Sequence, residues 1–355
     1  AQKPARTGVL NSRASAGLLL KTVPPMRRLL PVLAMMLTPV AQAAELVVYS
    51  ARAESLIKPI FERYERERGI KIRYLTDKEA PLIERLRAEG RNTPADLLLT
   101  VDAGNLWQAA ELGLLRPLQS ATLAANIPEH LRDPEGRWYG LSVRARTIVY
   151  ARDRVQPSDL DSYAALADGR WRGRLCLRTS KKVYNQSLVA MMIAELGMAR
   201  TEQIVRGWVA NLAAPPFASD NEVMDAIVAR RCDVGIVNTY YFGRLLREKP
   251  ELGLALFWPD QGENGRGVHV NVSGAGVTRH AKHPQAAQAL LEWLSAGPAQ
   301  HMFAALNLEY PANPDVPPDP AVAAWGSFRQ NPINVAQAGA LQAEAVKLMD
   351  RVGYR

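Results

Sequence analysis

Residues 232–241 read Cys-Asp-Val-Gly-Ile-Val-Asn-Thr-Tyr-Tyr. The segment 233–237 has the short apolar pattern of a buried strand, so Tyr240 and Tyr241 are expected just past its C-terminal end. In open α/β sheets that edge is where ligands bind. A phenolate is a hard oxygen donor, suited to a hard, highly charged cation rather than to a soft metal. If a third phenol converges on the pair, ferric iron is the natural guest. Tyr184, within Val-Tyr-Asn-Gln-Ser-Leu-Val at 183–189, is the candidate third donor.

Upstream, the chain alternates strand and helix. Residues 46–49 form an apolar strand, and Leu56, Ile57, Ile60, Phe61 and Tyr64 share one helical face that Gly69 is placed to end. A strand at 70–75, a helix marked by Leu82, Ile83 and Leu86, a strand at 96–100 and a helix at 102–112 follow. This order predicts a parallel sheet covered on both sides. A second α/β series has strands at 141–150 and 175–178, helices at 187–196 and 201–212, and a helical face at Val223, Met224, Ile227 and Val228. An extended run at 268–277, a helix at 284–294, a proline-rich stretch at 311–320 and a last helix at 338–349 complete it. A chain of 355 residues with 48% apolar and 22% charged side chains fits a globular protein of two lobes.

Residues 1–43 differ from the rest. They carry Lys3, Arg6, Arg13, Lys21, Arg27 and Arg28 and no acid. Met-Arg-Arg at 26–28 opens an apolar run to Val40, followed by Ala-Gln-Ala at 41–43. That is the anatomy of a secretory signal peptide behind an upstream extension, and the apolar run is short for a membrane span. Of the formal net charge of +9, removal of these six leaves +3. The basic balance is therefore in large part an export signal, and no nucleic-acid partner is expected. Export places Cys176 and Cys232 in an oxidising compartment, where they either form a disulfide or remain two buried thiols.

The runs Leu-Val-Val-Tyr-Ser at 46–50, Thr-Pro-Ala-Asp at 93–96, Thr-Val-Asp-Ala-Gly-Asn-Leu at 100–106, Leu-Ser-Val-Arg-Ala-Arg at 141–146, Val-Tyr-Asn-Gln-Ser at 183–187 and Val-Asn-Thr-Tyr-Tyr at 237–241 resemble those of bacterial periplasmic ferric-ion-binding proteins. These are the solute receptors of iron ABC importers. The resemblance implies an α/β fold of the type II periplasmic binding protein class, a transferrin-like clamp of two discontinuous lobes around a central cleft. Residues 44–143 and 268–310 would form one lobe, and 144–267 with 311–355 the other. It implies that Tyr184, Tyr240 and Tyr241 bind the metal, with carbonate or phosphate as synergistic anion and Asn238 beside it. It also implies a periplasmic monomer, an inner-membrane ABC permease with its ATPase as partners, and no catalytic activity. Many relatives have a histidine after the first strand, where this chain has Ala53; Glu54 is the candidate substitute donor.

Arg52, Arg144 and Arg146 are candidates to hold the anion, because a guanidinium fork suits oxyanions. The helix entered after Asn185 would add backbone N–H donors. Arg144 and Arg146 share one side of a strand by period-two spacing. The five histidines show no metal-ligand spacing. Two other readings stay open: a receptor for a polyamine, thiamine-like solute or organic anion on the same fold, and an exported enzyme using a tyrosine as acid or base. The second lacks any nucleophile–base constellation in the sequence.

Overall fold

The computed structural model describes residues 45–355; the expected extension and signal peptide lie outside the described residues. Strand β1 (Glu45–Ser50) leads through helix α1 (Glu54–Arg68) to β2 (Lys71–Thr76), then α2 (Glu79–Glu89), β3 (Leu97–Val101) and α3 (Ala103–Glu111). Helix α1 buries Ile57, Ile60, Phe61 and Tyr64, and Gly69 ends it at φ 68°, its N–H returned to the Glu65 carbonyl. Strands β2, β1 and β3 lie parallel, as the alternation predicts.

The parallel rule stops there. After α4 (Ala121–Asn126), the long strand β4 (Tyr139–Ala151) is buried at every position. Its first half pairs antiparallel with β8 (Val270–Val277), which in turn pairs antiparallel with β3. Its second half pairs antiparallel with β6 (Val234–Asn238) and β7 (Leu254–Phe257). Strand β5 (Leu175–Cys176) lies parallel to β6, and β9 (Tyr310–Pro311) adds to β4. The sheet is thus mixed, because β4 and β8 return between the two halves instead of crossing over through helices.

The second half also contains α5 (Val183–Leu196), α6 (Met198–Ala210), α7 (Asp220–Val228) and α8 (Thr239–Glu248). Helices α9 (Pro284–Ser295), α10 (Gly297–Ala305), α11 (Pro320–Ala323), α12 (Gln337–Ala340) and α13 (Gln342–Arg351) follow β8. Helix α5 begins four residues before Ser187, α6 begins three before Thr201, and the expected last helix is two, broken at Leu341.

Apolar side chains divide into separate cores along β4. Leu141, Val143 and Ala145 pack with β1, β3, β8, α9 and α10. Ile148 and Tyr150 pack with α5, α6 and α13, while Val149 and Ala151 pack with α7 and α8. Residues 312, 335 and 336 join the first core, whereas Ala345 through Tyr354 join the second. Cys176 and Cys232 form a disulfide with a Cα–Cα distance of 5.9 Å, stapling β5 to the residue run that enters β6.

Candidate metal centre

Each of the three expected phenols sits in the first turn of a helix. Strand β6 ends at Asn238 and α8 starts at Thr239, so Tyr240 and Tyr241 stand at the strand's C-terminal edge. Tyr184 is the second residue of α5. The Tyr240 hydroxyl donates to the Tyr184 hydroxyl at 3.2 Å, and the Asn238 amide donates to Tyr240 at 3.4 Å. The rings of Tyr240 and Tyr241 lie 4.4 Å apart between centroids. Tyr184 and Tyr240 are buried and Tyr241 is half-buried. Among the described residues no cluster of three His, Cys, Asp or Glu could hold a metal.

Burial governs the protonation of these phenols. It pushes Tyr184 up to about 12, with the Arg144 guanidinium opposing and Tyr241 reinforcing. It pushes Tyr240 well above the ordinary tyrosine value, and the neighbouring phenols Tyr184 and Tyr241 push it further. Buried and crowded, both keep their protons until a cation takes their place.

A ring of cations stands around them. Arg144 lies 5.2 Å, Arg178 5.5 Å and Lys182 4.7 Å from the Tyr184 ring centroid. Arg244 lies 5.3 Å from that of Tyr240, and Arg178 5.9 Å from that of Tyr241. Arg178, Lys182 and Arg244 were not singled out from sequence. Arg244 follows Tyr240 by four residues on one helix, a spacing that puts the two on one face.

The expected anion-binding residues separate into two groups. Arg144 is buried, donates to Asp102 at 3.1 Å and faces Tyr184. Arg52 is buried; its Nη1 donates to Glu309 at 2.9 Å and Ser142 at 3.2 Å, while Nε and Nη2 have no partner within the protein. Arg178 Nε is likewise buried without a hydrogen-bond partner, while its Nη1 lies 3.5 Å from Asp220 Oδ1. Arg146 corrects the expectation. It donates from Nε and Nη2 to Asn185 Oδ1, from Nη1 to Asp220 and Asn238, and from Nη2 to the Ile236 carbonyl. Its fork is consumed inside the protein, so it positions the asparagines instead of offering donors to a ligand. Asn185 is fixed in the same way, its amide donating to the carbonyls of Arg178 and Thr179.

Glu54 is not gathered with the phenols. It is exposed at the start of α1 and accepts a hydrogen bond from Tyr74 at 3.1 Å. His269 is buried in the run entering β8, and burial, with Arg146 and Arg144 nearby, pushes its imidazole down to about 3. It is a neutral packed residue.

The family model of bacterial extracellular solute-binding proteins matches residues 92–328. Iron uptake protein A2 of Synechocystis sp. is 41% identical over 321 residues, covering 89% of this chain and 91% of its own length. The structure of a Trichodesmium protein, IdiA or FutA, in complex with iron and citrate superposes with a TM-score of 0.85 at 41% identity, covering 88% of this chain and 100% of that one. A Bordetella ferric binding protein superposes at 0.81 with 37% identity, covering 87% and 99%. The chain belongs to the bacterial extracellular solute-binding proteins, and within them to the periplasmic ferric-ion-binding group, a non-catalytic transport class. Its fold is the two-lobed type II periplasmic binding-protein fold.

Proposed function

We propose that this protein captures ferric iron on Tyr184, Tyr240 and Tyr241 and delivers it to an inner-membrane ABC permease with its ATPase. The observation that carries the reading is the meeting of Tyr240 and Tyr184 at 3.2 Å beside Tyr241, with no competing cluster of three His, Cys, Asp or Glu among the described residues. Three phenolates neutralise a trivalent ion. The remaining coordination positions then fall to an oxyanion, held by Arg144, Arg52 and Arg178 with Asn238 beside it. The unpartnered N–H groups of Arg52 and Arg178 support this, since buried donors normally have acceptors. Carbonate and phosphate suit such a set, and citrate, which the Trichodesmium structure holds with iron, offers the same oxygens.

In this reading core packing shifts the expected lobe bounds: Ala145, Ala312, Val335 and Ala336 pack with residues 44–143 and 268–310, which keeps Arg144 on that side, while 146–267 with 345–354 form the other lobe, hinged where β4 and β8 run between the cores. Closure over the metal creates the surface that the permease recognises. Titration of metal-free protein with ferric nitrilotriacetate, in bicarbonate, phosphate or citrate buffer, tests the reading. A single bound iron is expected, lost in Tyr240→Phe, and the buffer giving the slowest iron release identifies the anion. Absence of bound iron in all three buffers would refute it.

A further inference from the structure

Asp102 lies between β3 and α3 with φ 75° and ψ 127°, in the half of backbone space that L-residues avoid. Such strain persists only where the surroundings enforce it. The carboxylate is fully buried and accepts four hydrogen bonds. Oδ1 receives the Gly104 N–H at 3.0 Å and the Ser187 hydroxyl at 2.8 Å. Oδ2 receives Arg144 Nη2 at 3.1 Å and Asn271 Nδ2 at 3.0 Å.

Three of these donors belong to elements around the first core. Ser187 does not: it stands on α5, whose apolar side chains build the second core, one turn after Tyr184. A second contact lies beside it. Gln342 donates to Gln186 at 2.7 Å and packs over the start of α3, where a Cβ added to Gly104 would lie 3.3 Å from Gln342 Oε1 and 3.2 Å from Asp102 Oδ1. The absence of a side chain at 104 lets the helix starts approach.

We propose that Asp102 and Ser187 form a latch that holds the two lobes closed over the phenols. Asp102 is a positioning residue in this scheme. It acts through Arg144, which faces Tyr184, and through the helix that carries Tyr184. Opening breaks the Ser187 bond alone and leaves Asp102 its three other donors, so the latch can cycle without stranding a buried charge. A hydrogen bond to an ionised acceptor has the strength to bias such an equilibrium severalfold or more. The inference rests on the iron reading and deepens it.

The test is iron release to a competing chelator from the iron-loaded wild type and from Ser187→Ala and Ser187→Thr. Ser187→Ala is expected to release iron about tenfold faster. Its visible band should keep its position, because the phenols are untouched, and the metal-free variant should melt as the wild type does. Ser187→Thr, which retains a hydroxyl, should restore slow release. A Ser187→Ala protein that releases iron at the wild-type rate, or whose band shifts, overturns the latch alone. A wild type that takes up no iron defeats the iron reading and the latch together.

Discussion

The hydroxyls of Tyr240 and Tyr184 lie 3.2 Å apart although 56 residues separate them in sequence. Removing one should therefore cost more than its own contact, because the survivor stays buried and loses its partner. Tyr240→Phe and Tyr184→Phe are each expected to weaken iron binding by more than about a hundredfold, beyond the 10–100-fold typical of outer-shell partners. Competition against a chelator of known strength checks this. A loss under about tenfold in both variants would remove them from the coordination sphere.

Proton release follows from the direction of the phenol shifts. Burial raises Tyr184 and Tyr240, so near neutral pH both are protonated without metal and must ionise to bind it. Binding then releases protons and strengthens as pH rises. With three phenols ionising, the logarithm of the apparent affinity should climb by about 2–3 per pH unit between pH 5 and 8, at constant anion species. Calorimetry in buffers of different ionisation enthalpy counts the protons. A pH-independent affinity would mean that the phenols are not the ligands.

The Cys176–Cys232 bridge closes a loop of 56 residues that contains Tyr184. Chain-entropy arguments give such a loop up to about 4 kcal/mol of stabilisation, with ~2–4 kcal/mol usual. The double variant Cys176→Ser, Cys232→Ser should unfold at lower urea concentration by that margin. It should also bind iron more weakly, as β5 and β6 lead toward Tyr184 and Tyr240. An unchanged midpoint would assign the bridge no stabilising role.

His269 supplies a stability prediction apart from the metal. Its folded value, about 3, lies below the ordinary 6.5. The unfolded chain thus takes up a proton that the folded chain refuses, and the stabilising contribution present above about pH 6.5 is lost progressively down to about pH 3. The slope is ~1.4 kcal/mol per pH unit. Urea unfolding of metal-free protein from pH 7 to 4 should show His269→Gln losing less stability on acidification by that slope. Parallel profiles would exclude the histidine.

Much of this site can be read from residues 232–241, because an apolar strand that ends in Asn-Thr-Tyr-Tyr places its phenols at a sheet edge by local rules alone. Tyr184 is different. No periodicity joins it to Tyr240, and its place was legible only through resemblance in the run that carries it. The apolar run places the helix start at Ser187, yet α5 begins after Lys182 with no side-chain cap, so the polar first turn that holds Tyr184 carries no helix signal of its own. Strand spacing correctly puts Arg144 and Arg146 on one side of β4, but β4 passes from one core to the other between them. They consequently meet different carboxylates, Asp102 and Asp220. The antiparallel pairings of β8 were hidden for a similar reason: strand patterns show burial and say little about partners.

The most direct measurement is the visible resonance Raman spectrum of the iron-loaded protein. Tyrosinate ring modes enhanced under a visible absorption band are predicted, diminished in Tyr184→Phe and in Tyr240→Phe. Iron bound without such modes, or modes unchanged in both variants, would contradict a cage of phenolates around the ion.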